Sequence, residues 1–157
     1  MITFPFHAIH AASMALLPPK MVSAPAEAML IAIGLQESRF EHRRQIGGPA
    51  RGFWQFEQGG GVRGVMEHPA TAPIILPILD RLQYEPVVPV VYSALEHNDI
   101  LACIFARLLL WTVPGPLPGP SDAHGAWEYY VEGWRPGKPH RQTWDDFYAR
   151  AWQEVGS

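Results

Sequence analysis

Cysteine is almost missing from this chain. Among its 157 residues there is one, Cys103, which rules out an internal disulfide and a cysteine-based metal site. No apolar run approaches the ~18 residues of a membrane-spanning helix. Charge is scarce as well: Asp, Glu, Lys and Arg make up 17% of the chain, and the formal net charge is −3. That balance argues against a bulk nucleic-acid binder and against strong attraction to an anionic cell wall. Gly59-Gly60-Gly61 lacks the Gly-Lys-Ser/Thr ending of a phosphate loop, so nucleotide binding is rejected. The stretch Met1-Ile2-Thr3-Phe4-Pro5-Phe6-His7 lacks a basic segment, and Pro and His break its apolar run. No secretory signal is read there, and synthesis in the cytosol is expected.

What is present points to a folded, helical chain. Hydrophobic residues make up 48%, enough for one sizeable core, and 16 prolines with 14 glycines imply many loops and short helices. No internal repeat or domain boundary is visible, and every convincing periodicity is helical. The expectation is a mainly α chain with one domain over 1–157. Within it, 1–23 is a helical extension, 24–135 the core that carries the chemistry, and 136–157 a C-terminal helix.

Residues 4–17 read as a short amphipathic helix stopped by Pro18-Pro19. His7 and His10 share a face there, but no third ligand has matching spacing, so a packed or surface helix is expected rather than a metal site. Ser23 reads as an N-cap, with Pro25 in the first turn. The run Ala28 to Leu35 is apolar on every face, the mark of a helix buried all round. Residues 41–53 are polar and turn-forming, and Gly59 to Gly61 starts another loop. Short helices are expected over 62–68 and 73–83, and an extended linker over 85–91, where Pro86 and Pro89 fall. Asn98 or Ser93 caps a long core helix marked by Ile100, Leu101, Ile104, Phe105, Leu108 and Trp111. Pro114 to Pro120 reads as stiff and exposed. A helix is expected over 122–133, then an aromatic and basic loop, then a helix capped by Thr143 with Asp146 completing the cap.

The chemistry centres on Glu37, which leaves the end of the buried helix. Burial and the carbonyls of a helix C-terminus both disfavour its charged form. A carboxylic acid still protonated near neutral pH is what glycosidic cleavage needs. The alternative is a helix-terminal glutamate paired with Arg39, Arg43 or Arg44, and spacing alone leaves both open.

Glu37-Ser38-Arg39-Phe40, with Gly52-Phe53-Trp54-Gln55 ending eighteen positions after the glutamate, resembles the first two signatures of lytic transglycosylases, members of the lysozyme-like superfamily. Asn98-Asp99-Ile100-Leu101-Ala102 is similar to the third signature. Tyr130-Val131-Glu132-Gly133 is a loose match to the fourth and lacks its Asn. The matches keep the family's order. Leu35 to Val62, and Trp134-Arg135-Pro136-Gly137, further resemble lysozyme-like proteins of tailed phages and prophages.

The resemblance implies a lysozyme-like domain with long Pro/Gly-rich loops that cleaves the bond between N-acetylmuramic acid and N-acetylglucosamine in peptidoglycan. Glu37 would protonate the bridging oxygen, then take the C6 hydroxyl proton as a 1,6-anhydro ring closes without water. A hydrolase would instead use a second carboxylate, about 5–5.5 Å away for retention or 6.5–9.5 Å for inversion. Glu57 is the candidate for that carboxylate, with Asp99 and Glu128 behind it. Substrate contacts would come from Ser38, Gln55, Trp54, Asn98, Tyr129, Tyr130 and Trp134, with Trp127 a further stacking candidate. Trp54 stands where the family often has Met. Arg135 and Lys138 are either solvated loop charges or contacts to peptide-stem carboxylates. No cofactor or metal is expected.

The expected partners are glycan strands and other phage virion proteins, with no nucleic acid and no membrane span. The expected setting is a virion, or the host cytoplasm before release, with action in the periplasm and cell wall at genome entry or lysis. A different class of role also fits the sequence: a tail or portal-channel component that keeps the fold with little activity.

Overall fold

The structure, a computed structural model, describes residue 2 and residues 4–157. Met1 and Thr3, part of the stretch read for a signal, lie outside the described residues. Among the described residues eight α-helices run in order: α1 Phe6–Met14, α2 Ala24–Ser38, α3 Arg63–Glu67, α4 Ala72–Arg81, α5 Val88–His97, α6 Asp99–Thr112, α7 Ala123–Trp134 and α8 Arg141–Glu154. The chain is mainly helical, and no strand forms among the described residues. Two isolated bridges, Arg44 to Arg51 and Arg51 to Phe56, tie down the loop between α2 and α3. No helix among the described residues is long and apolar enough to cross a membrane.

The core is built on α2 and α6. The Ser23 side chain accepts from the Ala26 N–H at 3.2 Å, and Pro25 sits in the first turn of α2. Every residue from Ala28 to Leu35 is then buried, as an all-round apolar helix must be. Asn98 starts α6 in the same manner, its side chain accepting from the Leu101 N–H at 3.0 Å. Residues Leu101 to Leu110 are all buried. α2 packs along α8 and touches α6, while α1 and α7 pack on α6. One apolar cluster takes in side chains from Phe4 to Ala151.

What ends α2 also shapes the site. Arg39 and Phe40 both take left-handed backbone, each with φ of 55°, so the chain reverses after Ser38. The Phe40 ring returns onto α2 at Gly34, where an added Cβ would fall 2.1 Å from Phe40 Cζ. Only a glycine leaves room for this fold-back. Phe4, Phe53 and Trp54 close around the same ring.

Several local expectations change. The segment expected as an extended linker over 85–91 already contains the start of α5 at Val88. Pro89 lies in the first turn, where a missing N–H costs nothing. Ser93 is inside α5, so Asn98 alone caps α6. Gly59 to Gly61 form a single π-turn, Gln58–Val62, that runs directly into α3 rather than opening a loop. α8 begins at Arg141, two residues before the expected cap. The Thr143 hydroxyl donates to Gln36 Oε1 at 2.9 Å and to the His140 carbonyl at 3.0 Å. The Pro-Gly segment is only partly exposed: Pro118 is buried, and the Gly119 carbonyl accepts from the Tyr148 hydroxyl at 2.7 Å. His7 lies near Glu27 and Glu154, at 3.4 and 3.8 Å, and His10 stacks on Phe6.

Candidate active site

Glu37 is the penultimate residue of α2 and lines a cleft of about 540 Å³. Its neighbours there come from two stretches of chain. Gln45, Pro49, Ala50, Gln55 and Glu57 belong to the loop after α2. Tyr130 and Trp134 belong to the end of α7, and Arg135 to Lys138 to the loop between α7 and α8. The Glu37 carboxyl is pushed up from 4.5 to about 7. Burial is the main cause. The Tyr130 hydrogen bond works against it, and the negative charge of Glu57 adds to it.

The arginine alternative is settled by where the arginines go. Arg43 makes a two-pronged pair with Asp99, both contacts at 2.9 Å. Arg44 does the same with Glu96, again at 2.9 Å twice. Arg39 lies over the Phe147 ring at 5.4 Å. Glu37 therefore carries no arginine partner among the described residues, and the donor it does have is neutral. The Tyr130 hydroxyl donates to Glu37 Oε2 at 2.7 Å. Tyr130 is itself held rigidly, stacked on Trp144 at 5.1 Å between ring centres with a 10° tilt. The phenol is driven further from ionisation by its own burial and by the carboxylate next to it.

Gln55 reaches the cleft through a tight turn. Arg51 and Phe56 exchange both backbone hydrogen bonds at 2.9 Å, which forces Gln55 into left-handed backbone with φ of 55°. The turn presses so close to α5 that a Cβ on Gly52 would lie 2.9 Å from the Leu95 carbonyl oxygen. Gln55 Nε2 donates to the Gly52 carbonyl at 2.9 Å, and its Oε1 has no protein donor among the described residues. Trp134 is fixed by its indole N–H, which donates to the Trp54 carbonyl at 2.9 Å. Its ring meets Phe56 edge to face.

The structure thus brings together Glu37, Gln55, Glu57, Tyr130 and Trp134, with Arg135 and Lys138 at the same cleft. Four residues expected to touch substrate are used elsewhere. Ser38 is buried, and its hydroxyl donates to the Phe53 carbonyl at 2.6 Å, tying α2 to the Gln55 turn. Trp54 is wholly buried, with its indole N–H on the Leu30 carbonyl at 2.8 Å. Asn98 is the α6 cap and also donates to the Tyr84 hydroxyl at 3.1 Å. Tyr129 points to the other side of α7, where its hydroxyl donates to the Val113 carbonyl at 3.0 Å. Of the lesser carboxylates, Asp99 is taken by Arg43, and Glu128 pairs with His124 at 2.6 Å. Trp127 packs against Trp144 and Tyr130.

Gln36 is the residue that sequence reasoning passed over. Its Nε2 donates to the His140 carbonyl at 2.9 Å while its Oε1 accepts from Thr143, so it clips the 136–140 loop beside Glu37. Nothing in the sequence links position 36 to position 140, which lies beyond 100 intervening residues.

The Tyr130 bond makes a testable link between geometry and proton affinity. Removing it with Tyr130→Phe takes away a donor that favours the ionised carboxylate, so the Glu37 pKa rises above about 7. The carboxyl resonance of Glu37, followed by NMR titration, is expected to titrate at higher pH in the variant than in wild type. Compared with protein-family models, with curated proteins and with solved structures, the chain finds no match in any of the three.

Proposed function

We propose that this chain cleaves the N-acetylmuramic acid–N-acetylglucosamine bond of peptidoglycan as a lytic transglycosylase on a lysozyme-like domain, with Glu37 as acid and then base. The observation that carries the reading is a carboxyl at about 7, in an open cleft, with no cation paired to it among the described residues. Such a group is about half protonated near neutral pH. It can give a proton to a glycosidic oxygen and accept one back from a C6 hydroxyl in the same site. Trp134 offers an aromatic face to a sugar ring, and the unused Gln55 Oε1 offers an acceptor to a sugar hydroxyl or amide. Arg135 and Lys138 supply positive charge for the carboxylates of peptide stems. The phage or prophage setting, with local action on a host wall, rests on the sequence resemblance at Leu35 to Val62 and Trp134 to Gly137.

The test is mass spectrometry of fragments released from purified peptidoglycan. Fragments ending in 1,6-anhydro-muramic acid are expected from wild type and not from Glu37→Gln. Absence of fragments from wild type, under conditions where a control enzyme works, overturns the enzyme reading and leaves a structural virion role.

A second reading has one observation in its favour. Glu57 shares the cleft and is close enough for its charge to raise the Glu37 pKa. In a hydrolase it would be the second carboxylate, and the products would carry reducing ends. Glu57→Gln separates the two. For a transglycosylase, activity persists and the Glu37 pKa moves down, because a repelling charge is gone. For a hydrolase, turnover falls by about 10²–10⁴-fold. Fragment yield together with end-group chemistry decides between them.

A further inference from the structure

A second cavity, of about 450 Å³, lies at the opposite end of α2 from Glu37. Ser23, the α2 cap, lines it, and fourteen residues of helix put the two sites about 21 Å apart. Lys20, Arg107, Trp111, Leu117 and Tyr129 line it too. Unlike the cleft around Glu37, no carboxylate among the described residues borders it. In a chain of net charge −3, two cations share this cavity without an acidic neighbour in its wall.

Arg107 is the unusual member. It sits within the most buried helix of the fold and is only 3% exposed. Buried arginines are ordinarily neutralised by a carboxylate, because an unpaired buried charge is costly. Here Nε donates to the Met21 carbonyl at 2.7 Å, and the Trp111 ring lies 5.5 Å from the guanidinium. The Nη groups have no hydrogen-bond acceptor and no carboxylate among the described residues. Burial in this setting disfavours the charge, pulling the Arg107 pKa down. Lys20 approaches the same Trp111 ring, at 5.3 Å from its centre. The positive end of a fifteen-residue helix adds to the field at Ser23.

We propose that this cavity binds an oxyanion, a phosphate or carboxylate group carried on a flat or apolar body. The Arg107 fork receives two oxygens, the Lys20 ammonium adds charge at the mouth, and Trp111 with Leu117 covers the body of the ligand. A planar guanidinium with free parallel N–H groups is suited to such two-pronged binding. The cavity is in the size range of small-molecule sites. This assignment does not rest on the glycan-cleaving reading, and its test does not use activity.

The full chain is titrated with sodium phosphate and, separately, with sodium acetate at constant ionic strength. Thermal denaturation and the Trp111 indole cross-peak, assigned through Trp111→Phe, report binding. A saturable response to at least one of the two is expected from wild type. Lys20→Ala, a change at an exposed position, should weaken that response by about tenfold, the scale of one charge-assisted hydrogen bond. Arg107→Met should abolish it while keeping the volume filled. If Arg107→Met does not fold, Lys20→Ala carries the comparison alone. Saturation by phosphate only marks a phosphate terminus, and saturation by acetate marks a carboxylate. No saturable response to either ion overturns the proposal, as does a response that these variants leave unchanged.

Discussion

Glu37→Gln is expected to lose activity and gain stability at the same time. On the proposed transglycosylase reading, release of glycan fragments should fall by about 10²–10⁴-fold or more, since Glu37 would serve both proton steps. The stability change comes from linkage. The folded-state pKa is about 7 against 4.5 for an unperturbed glutamate, so the folded chain holds a proton that the unfolded chain has released between those pH values. Stability from this group is therefore highest below 4.5. It falls as pH rises and levels off above about 7, a total of ~3 kcal/mol for a full shift of this size. Glutamine cannot ionise and can still accept the Tyr130 hydrogen bond. The variant should match wild type near pH 4 and exceed it by up to ~3 kcal/mol at pH 8, as measured by denaturant unfolding at each pH. A variant that is inactive and also less stable at pH 8 would make Glu37 a structural residue, and the cleft would then need another acid.

That pairing of lost function with gained stability is only partly legible in the sequence. An apolar run with a glutamate at its end foretells a raised pKa, because burial and helix carbonyls act along one segment. Ser23 and Asn98 are readable as caps for the same reason: a cap bonds to N–H groups two or three residues away. What stays hidden are bonds between distant parts of the chain. Arg43 and Arg44 are close enough in sequence to Glu37 to pair with it, yet they are claimed by Asp99 and Glu96, which only the fold brings near. Ser38 and Trp54 sit in motif positions beside the site, and their polar atoms turn inward to the Phe53 and Leu30 carbonyls. Tyr129 and Tyr130 cannot be told apart by spacing. Adjacent helical positions lie about 100° apart, so packing alone decides which phenol meets Glu37. Prolines mislead where they fall in a helix's first turn, as Pro89 does.

Trp54 shows how far a motif residue can act without meeting a ligand, and Trp54→Ala should cost more stability than the loss of any side chain lining the cleft. Its ring has no exposed surface, lies edge-on to Phe40 at 5.6 Å, and donates its indole N–H to α2 at Leu30. Truncation empties a tryptophan-sized space in the centre of the core, a loss of about 3–5 kcal/mol. For a chain of this size that is a large part of the total, and a fall in melting temperature by several degrees or more is expected from thermal unfolding. Trp54→Phe should cost much less. It keeps most of the packing, and the Leu30 carbonyl lies inside α2, where backbone N–H groups remain available to it. The pair also separates two ways of influencing the cleft. Direct contact with a sugar would make Trp54→Phe alter substrate affinity with stability nearly intact. The buried position predicts the reverse for Trp54→Ala. Unfolding is eased first, and affinity changes only as the Trp54 carbonyl shifts and loosens Trp134, whose indole it holds at the cleft. A Trp54→Phe variant with wild-type melting and a changed KM for glycan would place the ring in the cleft and overturn its assignment to the core.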